Sequence, residues 1–218
     1  MPLHTKTVIQ QALLCALAFF LAGCTSTYYA TMEKFGIEKR DILVDRVHDA
    51  RQEQQEAKQQ FESALEQFIA VTNYSGGELE KQYQKLKAEF EDSEDKAKDV
   101  DDRIASVEKV AEDLFIEWTK ELDQYTSKEL RASSEKQLKD TRSRYNKLIK
   151  AMKTAQSKIT PVLNAFRDRV LFLKHNLNAQ AITSLKSQRD KVTADITALV
   201  RDMNKSIEEA DRFIKAMQ

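Results

Sequence analysis

Turn-making residues are scarce in this chain: four glycines and two prolines among 218 residues. So few can make few tight turns, which argues against hairpin-rich β architectures and for long helices. No stretch alternates apolar and polar residues as a half-buried strand would. Cysteine is nearly absent. Cys15 falls in an N-terminal leader and Cys24 at its end, so no thiol remains for a disulfide, a zinc site or a nucleophile. An excess of one charge is also missing, since 35 Lys and Arg face 35 Asp and Glu. A dedicated nucleic-acid binder would carry net positive charge, so none is expected. Phosphate loops are absent too: Gly76-Gly77 is followed by Glu78, and no Gly-x4-Gly-Lys-Ser/Thr exists. A P-loop ATPase is thereby excluded.

Catalytic and metal chemistry find little footing. Beyond the leader only His48 and His175 remain, far apart in the chain. Asp45 and Asp49 flank His48, but a di-iron carboxylate bundle needs paired Glu-x-x-His sets. Ser/His/Asp catalysis needs a strained nucleophile loop, and no loop offers one. The reading is a non-enzyme with no cofactor, no metal and no catalytic residue.

What is present begins with Leu21-Ala22-Gly23-Cys24. Ahead of it lie one cation, Lys6, and eleven apolar residues, Ala12 to Ala22. That run is short of the ~20 residues that cross a bilayer. It has the length of a secretory h-region, closed by small residues at the cleavage position. A small pair before cysteine resembles the bacterial lipobox, which predicts cleavage between Gly23 and Cys24 and acylation of the Cys24 thiol. Residues 1–23 then form a lipoprotein signal peptide, 24–31 a lipidated tether, and 32–218 a helical bundle domain. Removing residues 1–23 takes away Lys6 and leaves 34 bases against 35 acids. Thr25 follows the cysteine, where an aspartate would resemble the signal for inner-membrane retention. Its absence favours the periplasmic face of the outer membrane. Tyr28 and Tyr29 suit either the headgroup level or the start of the first helix.

Heptads fill the rest. A first helix is predicted from about residue 30 to 72, with Val47, Gln54, Phe61 and Phe68 at one seam position and Ala50, Ala57, Ala64 and Val71 at the other. Asn73 to Gly77 supplies the strongest turn, with two glycines free to take positive φ. In the second helix, apolar or small residues from Leu79 to Trp118 alternate steps of four and three, Ser93 included. Leu122 then breaks register. Val110, Phe115 and Ile116 broaden the stripe there, implying more than one neighbour at that level.

Thr126 to Ser134 forms the next break, with Ser133 or Ser134 as the cap of a third helix. That helix carries Leu138, Tyr145, Met152, Ile159, Phe166 and Leu173 at sevens. Pro161 within it predicts a kink, or a restart capped by Thr160. His175 to Asn178 reads as a corner, with Asn176 in αL and Asn178 capping a last helix that runs to Met217. The predicted fold is all-α, an elongated antiparallel bundle or coiled coil of about four long helices. Residues 78–113 hold thirteen acids and seven bases, and residues 139–191 thirteen bases and three acids. Their attraction favours contact between the second and third helices.

Three further features stand out. Lys39 to Arg46 is a charged run around an apolar centre, in which Lys39, Arg40, Asp41, Asp45 and Arg46 form a candidate docking patch for an envelope protein. Gln54, Ser93 and Arg189 are polar residues on buried faces, suited to fixing register. The bases Arg142, Arg144, Lys147, Lys150 and Lys153 are expected to face the acidic second helix or water.

Several runs resemble the gammaproteobacterial lipoprotein family known as domain of unknown function 2959. They are Tyr28-Tyr29 with Met32-Glu33-Lys34, Lys39 to Val47, Gly76 to Glu80, Phe90 to Glu94, and Leu173 to Ala179. The resemblance covers nearly the whole chain after the leader. It implies an exported, lipid-anchored helical protein and carries no assigned activity, ligand or catalytic residue. The function expected is a spacer or interaction scaffold, bound to the membrane by its acylated terminus. The alternative is a carrier of an apolar or amphipathic ligand inside the broadened bundle.

Overall fold

The computed structural model describes residues 38–218 apart from positions 75 and 77. The leader, Gly23, Cys24 and the tether lie outside the described residues. Two compact units divide between Ile42 and Leu43. In the first, the described part is Glu38 and the opening turn of α1 (Lys39–Thr72). There the Glu38 carbonyl accepts from the N–H groups of Asp41 and Ile42, at 2.9 and 3.1 Å.

The second unit, residues 43–218, holds the rest of α1, then α2 (Leu79–Glu121), α3 (Lys128–His175), α4 (Ala179–Lys186) and α5 (Arg189–Met217). A 3-10 turn, Leu122–Gln124, follows α2. No strand occurs among the described residues. Each seam residue predicted in α1 between Val47 and Val71 is buried, as are those of α2 from Tyr83 to Leu114. Small residues at one seam of α1 (Ala50, Ala57 and Ala64) are at most 1% exposed, so a neighbouring helix approaches closely there.

Side-chain pairs set the topology. Gln60 and Gln67 of α1 donate to Glu89 and Gln82 of α2, at 2.9 and 3.1 Å, so the two helices run antiparallel. Gln156 and Lys153 of α3 reach Asp101 and Glu108 of α2, at 2.8 and 2.5 Å, again antiparallel. Lys158 of α3 pairs with Asp202 of α5. Arg51 of α1 closes the ring on Asp211 of α5, at 2.6 Å. Phe68 of α1 meets Phe166 of α3 edge-on across the middle, with centroids 6.1 Å apart. The body is an up-down-up-down four-helix arrangement. Fully burying one large apolar side chain stabilises by ~1.5–3 kcal/mol. An exposed ion pair contributes ~0.2–1 kcal/mol. Burial therefore drives assembly, and charge selects which helices are neighbours.

Five local expectations need correction. The cap of α3 is Ser127, whose hydroxyl accepts from Leu130 N–H at 3.2 Å. Ser134 is instead buried and accepts from the Trp118 indole, and Ser133 lies inside the helix. Pro161 causes no restart, because α3 continues through it. Its ring faces out while Ile159, Val162, Leu163 and Phe166 are buried around it, and that burial outweighs one lost backbone bond, ~3 kcal/mol. Asn176 takes φ −136°, not αL, while Asn178 caps α4 as expected, accepting from Ala181 N–H at 2.9 Å. The last helix is interrupted at Ser187-Gln188, where the Ser187 hydroxyl donates to the Ser184 carbonyl (2.7 Å) and Gln188 N–H takes an i−3 partner, Leu185. Gly76 does not use left-handed backbone, and Gly77 lies outside the described residues.

Candidate functional site

The α2–α3 hairpin outruns its neighbours. Fifteen residues lead from Asp202 to Met217 at the end of α5, and fifteen back from Lys158 reach Ser143 in α3. The part of α3 from Lys128 to Arg142 thus extends past α5, by ~22 Å at 1.5 Å per residue. Asp49 reaches Arg103, at 3.8 Å, so the body's first residue, Leu43, sits at this same end.

Aromatic packing holds the hairpin together. Phe115 meets Tyr145 edge-on at 5.4 Å, and the Arg142 guanidinium lies over the Phe115 ring at 5.0 Å. Burial pushes the Tyr145 phenol up to about 12, with the charges of Glu108 and Glu112 adding to it. Trp118 donates its indole N–H to Ser134, at 2.8 Å. The broadened stripe is real at Val110, Leu114 and Phe115, all buried, whereas Ile116 is 48% exposed. None of the three buried residues lines the open space beside the hairpin.

That space is a groove of about 720 Å³ along α3, lined by residues of α3, the end of α2 and the 3-10 turn and by none of α5. Leu122 and Leu138 give it an apolar side, Ser143 and Asn146 a polar one, and Lys147 and Lys150 a cationic one. Of the basic residues expected to face α2 or water, Lys153 does pair with Glu108 and Arg142 covers Phe115. Lys147 and Lys150 line the groove, and no carboxylate among the described residues is in ion-pair distance of either. The sequence signal was there: seven bases and one acid between Lys136 and Lys153. What periodicity did not reveal is that α5 ends level with Ser143, leaving the Glu135–Arg142 side of the groove past its end while Lys147 and Lys150 lie beside it.

The other sequence candidates are placed as follows. In the first unit Lys39 is half-buried and Arg40 and Asp41 are exposed; in the second, Asp45 is exposed and Arg46 bonds Asp49 at 3.3 Å. His48 and His175 are exposed, and no group of three metal-ligating side chains occurs among the described residues. Gln54 and Ser93 are buried as expected, with Ser93 donating to the Glu89 carbonyl at 2.7 Å. Arg189 is only half-buried, because it opens α5 rather than lying within a seam, and its guanidinium reaches Asn73, at 3.5 Å. Polar groups the periodicity missed are Asp202, Arg169 and Ser206, all buried. No described helix is long and apolar enough to cross a membrane.

No curated protein and no solved structure matches the chain. A family model does, over residues 28–217, which takes in the whole helical body and most of the chain. The chain belongs to that family, described as a protein of unknown function (DUF2959).

Proposed function

We propose that this protein is a lipid-anchored spacer or interaction scaffold of the cell envelope, without enzymatic activity of its own. The observation that carries the reading is Leu21-Ala22-Gly23-Cys24 behind an eleven-residue apolar run. The Cys24 thiol takes the lipid, and each buried acyl CH2 stabilises membrane residence by ~0.8 kcal/mol. Two or three chains hold the protein firmly. Thr25 after the cysteine favours the periplasmic face of the outer membrane.

The build of the body supports the role. The chain enters at one end, at Leu43, and the corners at Asn73–Glu78 and Asn176–Asn178 lie at the opposite end. The thirty residues from Leu43 to Thr72 alone span ~45 Å. A rod held by one end carries its far corners away from the leaflet, where a partner protein meets them. Lys39 to Arg46 is a second docking place, close in sequence to the tether.

Intact mass of protein extracted from membranes tests the anchor. The expected chain starts at Cys24 and carries diacylglycerol with a further acyl group. An unmodified thiol on a protein free in the periplasm would overturn the reading. In-cell crosslinking from residues 37–47 and from the far corners tests the scaffold role. It should capture an envelope partner above an unrelated lipoprotein control, and equal capture by that control would count against it.

A further inference from the structure

The stretch from Lys136 to Lys153 is the most one-sided in charge on α3, with seven bases and Asp140 as its single acid. The chain is otherwise neutral and rich in inter-helix ion pairs, and although Lys147 and Lys150 also border Glu208 and Glu209 of α5 on their other side, few of these cations make a direct pair. Lys153 has Glu108 and Arg142 has the face of Phe115. Lys139, Lys147 and Lys150 have no carboxylate in ion-pair distance among the described residues, and all three line the same groove. Its one acid is Glu135. Clustered like charges repel one another, so such a site favours an anionic occupant.

The groove's other walls narrow the class. Leu122 and Leu138 supply apolar contact beside the lysines, while Ser143 and Asn146 offer hydroxyl and amide groups. A phosphate with a hydrocarbon attached fits that combination better than a bare anion does. At about 720 Å³ the space is in the range of small-molecule sites. Toward the tip of the same hairpin, Tyr125 and Leu130 are exposed at 41% and 61%, and Ile116, one turn back from the groove's Thr119, at 48%. Apolar and aromatic side chains of this kind settle at a bilayer's headgroup level.

We propose that the groove binds the phosphate headgroup of an anionic phospholipid, in the leaflet that carries the anchor. Lys139, Lys147 and Lys150 donate to the phosphate oxygens, and the first acyl carbons lie on Leu122 and Leu138. Ile116, Tyr125 and Leu130 rest at the interface. The choice of leaflet rests on the anchor reading, while the chemistry of the groove does not. A second attachment at the hairpin would fix the orientation of the body on the membrane, which a single point of attachment cannot do.

Native mass spectrometry of the full acylated protein in a neutral detergent tests this. The bare mass reports the lipid on Cys24, and the adducts report the groove, so the two readings fail separately. With phosphatidylglycerol added, the wild type should retain the lipid, and with phosphatidylcholine roughly tenfold less. The Lys139→Gln/Lys147→Gln/Lys150→Gln variant should lose the phosphatidylglycerol adduct by roughly tenfold or more. Equal charge removal at Lys81, Lys85 and Lys98, which lie away from the groove, should leave it. Millimolar inorganic phosphate should not displace the lipid. Equal retention of both lipids, an adduct that survives the groove variant, or one lost equally in the control variant would overturn the proposal. Displacement by inorganic phosphate would overturn it too, making the groove a free-phosphate site.

Discussion

The carboxylate of Asp202 on α5 is buried, 5% exposed, and is held by the ammonium of Lys158 on α3. Lys205, one turn on, adds a second contact at 3.2 Å. The bond to Lys158 keeps the Asp202 carboxyl below its usual range, against the opposing effect of burial. A group whose folded pKa is depressed adds stability that is present above its unfolded pKa, ~3.9, and lost as pH falls through the folded value.

Asp202→Ala should therefore destabilise the fold by ~1–3 kcal/mol at pH 7, less than for a fully buried pair because Lys158 stays partly wet. Urea midpoints at pH 7 and pH 3 check it. The gap between wild type and variant should narrow at pH 3. A gap of the same size at both values would mean that the pair is not what stabilises.

Gln54 sits in the α1 seam at 1% exposure, and neither its amide oxygen nor its amide nitrogen has a partner. A buried polar group without a hydrogen bond costs ~1–3 kcal/mol. Gln54→Met, of similar shape, should raise stability by ~1–2 kcal/mol. Equilibrium urea unfolding decides. A lower midpoint would show that the amide is bonded in solution, and a broadened transition would point to loss of register.

Trp118 is the single tryptophan in the sequence, so its fluorescence reports the α2–α3 hairpin alone. Ser134→Ala removes the acceptor at 2.8 Å and leaves the indole N–H without it. The expected cost is ~0.5–1.5 kcal/mol, with an altered emission maximum in the folded state. An unchanged spectrum and midpoint would mean the bond is not made.

Tyr145 gives the alkaline counterpart. Its folded pKa lies near 12, above the ordinary value of 10.0, because burial disfavours the phenolate. A raised pKa adds stability that is complete below pH 10 and lost as pH rises toward 12. Tyr145→Phe should flatten the fall of thermal midpoint across that window. An identical slope in wild type and variant would place the phenol in water.

Tyr83 and Tyr145 also show how far periodicity reaches. Both hold seam positions, yet Tyr83 is buried while Tyr145 is half-buried on the outrunning hairpin. A heptad says that a residue faces a neighbouring helix and says nothing of where that neighbour stops. For the same reason Ile116, read as part of the broadened stripe, is exposed, while Asp202, outside any predicted seam, is buried. The cap at Ser127 was legible in principle from Ser127-Lys128-Glu129, since the Ser127 hydroxyl bonds Glu129 at 2.9 Å and an acid suits the first turn. The break at Ser187-Gln188 was not, because both residues keep right-handed helical backbone there.

Local chemistry, written in the residues themselves, determined the helices, their seams and the antiparallel corners. Scarce glycine and proline together with a repeat of seven leave the chain few other shapes. Tertiary structure alone decided which charges would be neutralised. Ion pairing depends on the length and register of separate helices: Lys139 lies past the end of α5, and Lys147 and Lys150, beside α5, still reach none of its carboxylates at ion-pair distance. The groove exists because helices of unequal length were packed together, and no single segment carries that information.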